Sequence, residues 1–135
     1  MAKSKGRLLA ELLSSDETVK RSKNKDAVAA KETGTATSTS TAQKSIITFA
    51  KATYRSAKYV IQVTNSTDST YHVTELLLTH DGSTANITEY GTIYTGAAAE
   101  ATFTADISGA NVRLLVTPAS GDTMAYKVIL QTIAV

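Results

Sequence analysis

From Ser45 to the end of the chain, apolar and polar residues alternate with a period of two. The clearest sample is Tyr59-Val60-Ile61-Gln62-Val63-Thr64-Asn65, which puts Tyr59, Ile61 and Val63 on one side and Val60, Gln62 and Thr64 on the other. Such alternation, rich in β-branched and aromatic residues, marks a strand with one buried face. The same reading predicts strands over Ile46–Tyr54, Ala57–Asn65, Thr70–His80, Ala85–Tyr90, Thr92–Thr95, Glu100–Ile107, Val112–Thr117 and Met124–Ile133. Turn formers separate them: Asn65 to Ser69, Asp81-Gly82, Ser108 to Asn111 and Pro118 to Asp122. Asp-Gly between two alternating runs is the strongest hairpin signal. About eight short strands at this spacing predict an all-β fold, an antiparallel β-sandwich or jelly-roll-like domain over residues 45–135.

Inward faces follow from parity. Phe103, Ala105 and Ile107 form one set, Val112, Leu114 and Val116 a second, and Met124, Tyr126, Val128 and Leu130 a third. The last strand is apolar on its other parity too, at Ile129 and Ile133, which suggests a central strand or an oligomer interface through those two residues.

Residues 1–44 have a different pattern. In Arg7–Ser15, Leu8, Leu9, Leu12 and Leu13 form one apolar stripe at helical spacing, with Arg7 and Glu11 an i,i+4 pair on the polar side. So short a helix is marginal alone and needs a docking surface. The expectation is an anchor for another protein, the alternative being a helix packed on its own domain. From Asp16 to Gln43 the periodicity disappears. Lys20, Arg21, Lys23 and Lys25 form a basic run, and Thr33 to Thr41 is nearly all Thr, Ser, Ala and Gly. That composition predicts an extended, low-complexity arm that is disordered in isolation.

Composition reinforces the division. All eight aromatic residues lie beyond residue 48. Residues 1–44 carry nine basic against five acidic side chains, and residues 45–135 five against seven. A basic arm on a mildly acidic domain suits attachment to an acidic partner surface, with Lys20, Arg21, Lys23 and Lys25 as the contacts. The run lacks interleaved aromatics for base stacking, so nucleic acid is not the expected partner. No apolar run is long enough to span a bilayer. Lys3 to Ala10 faintly mimics a signal peptide, but Glu11 interrupts it.

Candidate chemistry is sparse. There is no cysteine. The two histidines, His72 and His80, fall on one strand about 26 Å apart by strand rise, too far to share a metal, and are expected at a surface or edge. No nucleophile elbow, paired carboxylates or phosphate loop is present, so neither catalysis nor a cofactor is expected. Tyr90 and Tyr94, bracketing Gly91-Thr92-Ile93, are the candidates for a glycan-binding face.

Two stretches carry a family resemblance. MAKSKGRLLAELLSSDETVK resembles the opening of virion structural and tail-fibre-like proteins of marine tailed bacteriophages, notably cyanophages. YRSAKYVIQVTNSTDSTYHVTELLLTHDG, with ANVRLLVTPAS, is similar to a β-module that ends many such proteins. The resemblance implies a non-enzymatic, oligomeric virion component whose partners are other capsid or tail proteins, and a homo-oligomer, a trimer for a phage appendage, is expected to cover Ile129 and Ile133. A capsid decoration or cement protein held by the N-terminal arm is the expected role. The alternative is a short tail-fibre or adsorption module binding host surface glycans.

Overall fold

A computed structural model of the protein describes residues 28–135. The predicted helix and the basic run lie outside the described residues. Eight antiparallel strands make two sheets: β1 (Ala29–Ser38), β2 (Lys44–Ala50), β3 (Tyr54–Asn65), β4 (Thr70–His80), β5 (Ala85–Tyr94), β6 (Ala101–Ser108), β7 (Asn111–Pro118) and β8 (Met124–Ala134). One sheet has five strands in the order β1-β8-β3-β4-β5, and the other three in the order β2-β7-β6. The all-β sandwich expected from the alternation is what the chain forms.

The core lies between the sheets. Tyr59, Ile61 and Val63 of β3, Tyr126 and Leu130 of β8, and Val112, Leu114 and Val116 of β7 are fully buried. Each large apolar side chain removed from water in this way contributes about 1.5–3 kcal/mol before ordering costs. Phe103 lies over His72 with ring centroids 6.1 Å apart, and Phe49 over His80 at 6.0 Å, so β6 and β2 cross opposite ends of β4.

The boundary of the arm at residue 44 needs correction. Residues 29–38 form β1, an edge strand paired with β8 from Ala29↔Ile133 to Ser38↔Met124. Low complexity is no obstacle here, because a strand on a ready-made edge needs only a backbone ladder and small side chains. Thr33, Thr35 and Thr37 face solvent, while Gly34 and Ala36 turn towards β2. A Cβ built on Gly34 would lie 3.1 Å from Cδ1 of Ile47, so the missing side chain lets β1 approach β2. With β1 in place β8 is a central strand, one of the two explanations for its doubly apolar pattern.

A second correction concerns Ala85–Tyr94, read as two strands. It is one, β5, interrupted by a bulge: Val73 pairs with Ile93 and Glu75 with Tyr90, so Thr74 alone faces Gly91 and Thr92. Gly91 has φ 64°, the left-handed conformation that a glycine bulge requires. The count of eight strands therefore results from one missed strand and one counted twice.

The histidines are a third correction, since both are buried rather than at a surface or edge. Their parity on β4 points them between the sheets, where Phe49 and Phe103 cover them.

Candidate interaction surface

Cross-strand registers order the solvent face of the five-stranded sheet into rows. Ile133 lies beside Ser56, which pairs with Thr79. Gln131, Lys58, Leu77 and Thr88 make the next row, then Ile129, Val60, Glu75 and Tyr90, then Lys127, Gln62, Val73 and Ile93. Tyr71 follows on β4 beside Thr64. Leu77 is 47% exposed, Ile93 70% and Ile133 55%, and Tyr71, Val73 and Ile129 are also open to solvent. On this face β4, β5 and β8 expose apolar side chains, whereas β3 presents Ser56, Lys58, Gln62 and Thr64 around Val60.

Charge on this surface is limited. Lys58 Nζ lies 3.4 Å from Glu75 Oε2, and the hydrogen bond to Glu75 raises the Lys58 pKa. Lys31 and Lys127 are the other cations in these rows. Across all five strands the face holds a groove of about 930 Å³, lined by Ala29, Lys58, Leu77, Thr88, Gln131 and Ile133 among others. The outer side of the three-stranded sheet is polar by contrast. There Arg113 donates to Asp106 through Nε and Nη2, which holds the Asp106 carboxyl below its ordinary range, and Gln43 bridges Thr104 and Thr117.

The bulge decides where the candidate tyrosines go. Tyr90 lies on the solvent face opposite Glu75, near Lys58. Tyr94 pairs with His72 on the inner side, its ring edge-on to the imidazole at 6.3 Å. The two do not share one face. Ile129 and Ile133 do share one, the apolar surface described above. Leu8, Leu9, Leu12, Leu13, Lys20, Arg21, Lys23 and Lys25 lie outside the described residues.

Sequence reasoning missed a polar cluster at the inner end of β4 and β5. Glu89 accepts hydrogen bonds from Thr74 Oγ1 at 2.8 Å and Thr92 Oγ1 at 3.2 Å. Its Oε1 is 4.0 Å from His72 Nε2, yet neither ring nitrogen of His72 has a hydrogen-bond partner. Burial lowers the His72 pKa, against the upward pull of Glu89 and Glu100. His80 differs: its Nδ1 accepts from the Gly82 N–H at 3.1 Å, so Nε2 donates to the Tyr54 carbonyl at 2.7 Å. Gly91 inside a strand pattern is the one signal that points to the cluster, because it marks the bulge that brings Thr92 and Tyr94 inward. Among the described residues no group of three His, Cys, Asp or Glu side chains is placed to hold a metal.

No family model and no curated protein matches the sequence. Solved structures that are similar include the tailspike protein of Acinetobacter phage vB_ApiP_P1, at 19% identity and a TM-score of 0.43, covering 78% of this chain and 22% of that one. The tailspike protein of Acinetobacter baumannii phage AM24 matches at 10% identity and a TM-score of 0.44, with 78% and 26% covered. A tailspike protein of Acinetobacter baumannii bacteriophage Fri1, described as a capsular polysaccharide depolymerase, matches at 18% identity and a TM-score of 0.43, with 84% and 21% covered. The chain thus spans about a fifth to a quarter of the length of these proteins.

Proposed function

We propose that the protein is a non-enzymatic structural module of a bacteriophage virion, built into a tail appendage and packed there against other virion chains or copies of itself. The observation that carries this reading is the apolar solvent face of the five-stranded sheet, above all the corner formed by Tyr71, Val73 and Ile93. A contiguous apolar patch on a folded domain is a recognised mark of a protein–protein contact. The sequence resemblance to tail-fibre-like virion proteins supplies the setting. A tail position fits better than capsid cement, because residues 29–38 belong to the sandwich as β1 and leave a shorter arm to grip a lattice. Glycan binding through a Tyr90–Tyr94 face is not part of the proposal, since the two rings lie on opposite sides of β5.

The test has two measurements. Val73→Asp with Ile93→Asp should leave the circular dichroism of the sandwich unchanged while reducing self-association in sedimentation, or incorporation into particles. Label-based localisation on purified particles should place the chain on the tail. Its absence from particles, or a regular array on the capsid, would overturn the proposal.

A further inference from the structure

We infer that the groove on the solvent face is the seat of the chain's own leucine segment, Arg7–Ser15, docked across the five-stranded sheet. This inference is independent of any role in a virion. The described chain enters the sheet at the groove itself: Val28 O accepts from the Ala134 N–H at 2.7 Å, and Ala29, opposite Ile133, lines the groove. Whatever precedes Val28 in sequence therefore starts beside this surface.

Reach does not limit the docking. Residues 16–27 separate the segment from Val28, and a chain of that length extends to at most about 40 Å. Crossing five strands needs only about 19 Å at the usual strand spacing.

The chemistry of segment and groove is complementary. Leu8, Leu9, Leu12 and Leu13 form one stripe at helical spacing and are the only leucines before the first strand. A two-turn helix needs such a face to be buried, and the groove offers Leu77 and Ile133 as its apolar floor. Burial sets the orientation, with the leucines on the sheet and Arg7 and Glu11 towards solvent. The corner at Tyr71, Val73 and Ile93 lies outside the groove and stays open to other chains.

The absence of cysteine makes the test direct. In the full chain, Leu8, Leu9, Leu12 and Leu13 are changed singly to Cys, each combined with Leu77→Cys. Control pairs combine the same changes with Thr102→Cys, an exposed position on the other sheet. Docking predicts that at least one Leu77→Cys pair oxidises to an intramolecular disulfide about tenfold faster than its control, since a docked pair has a higher effective concentration than a tethered one. Leu8→Asp with Leu12→Asp, in the unmodified background, should raise binding of an apolar-surface dye several-fold while leaving the strand signal in circular dichroism intact. Equal rates for target and control pairs would overturn the inference. So would a product of dimer mass, which would give the groove to a second copy, or unchanged dye binding, which would leave the leucines to a different protein.

Discussion

The hydroxyl of Ser38 lies 2.9 Å from the phenol oxygen of Tyr126, and both side chains are buried. Ser38 ends the edge strand β1, and Tyr126 sits at the centre of the core on β8. A polar group in a dry interior is tolerated when it has a partner, so β1 supplies something the core needs as well as covering an edge. Ser38→Ala should cost about 0.5–1.5 kcal/mol, the usual net worth of one hydrogen bond, because the Tyr126 hydroxyl keeps Met124 Sδ as a partner at 3.6 Å. The double variant, Ser38→Ala with Tyr126→Phe, should cost less than the sum of the two single changes. Urea denaturation of the four proteins in the cycle checks this.

Gly34 supports a second expectation. A Cβ there would press on Cδ1 of Ile47 at 3.1 Å. Because the end of a half-buried side chain can shift, alanine should be tolerated, whereas Gly34→Val should destabilise the fold by about 1–3 kcal/mol through overpacking. Ile47→Ala should recover part of that loss, as measured by thermal unfolding of the single and double variants.

Asn65, almost fully buried, ties one end of the sandwich together. Its Nδ2 donates to Glu100 Oε2 at 3.0 Å and to Asp122 Oδ2 at 2.9 Å, and its Oδ1 accepts from the Thr67 and Asp68 amides. Asn65→Ala should cost at least about 2 kcal/mol, since hydrogen bonds to charged groups are each worth about 1.5–3 kcal/mol. Asn65→Asp should be worse at neutral pH, because it places a third carboxylate against two others. That variant should gain stability relative to wild type as the pH falls towards 4, read from denaturation midpoints across pH.

His72 predicts a pH dependence of opposite sign. Burial lowers its pKa in the folded state, so the unfolded chain binds the proton more readily. The stability associated with a neutral His72 is complete above the unfolded-state value of about 6.5 and is lost as the pH falls from there through the lower folded value. His72→Gln should flatten the stability profile between about pH 7 and 5. Glu89→Gln should move the His72 titration further down, because Glu89 is one of the two carboxylates that favour its charged form. The imidazole shifts in a nuclear magnetic resonance titration report both effects.

The extent to which the fold is legible follows from where each residue's partner lies in sequence. β4 is read correctly residue for residue, because its alternation and its flanking turns Asn65–Ser69 and Asp81-Gly82 are all local. At Asp81-Gly82, Asp81 Oδ1 accepts from the Ser83 and Thr84 amides, and Gly82 takes φ 98°. The inward faces of β7 and β8 are also read correctly. β1 escapes because its stabilising partner is β8, far along the chain, although Thr33, Thr35 and Thr37 alternating with Gly34, Ala36 and Ser38 have a strand's period. The candidate tyrosines separate because parity holds only for an unbroken ladder, and the residue inserted at Gly91 reverses everything beyond it. The solvent face is legible through Ile129 and Ile133, while its extension over Leu77, Val73 and Ile93 depends on strand order, which periodicity does not contain.

The pairing of Ala29 with Ile133, closed by the hydrogen bond from Ala134 to Val28, brings entry and exit of the described chain to one corner of one sheet. A domain whose two ends meet can be inserted into a loop of a larger protein without forcing the loop apart. The sandwich therefore has the connectivity of a portable unit: grafted between two neighbouring residues of a host chain, it would stand out as a side branch and leave the host backbone in register.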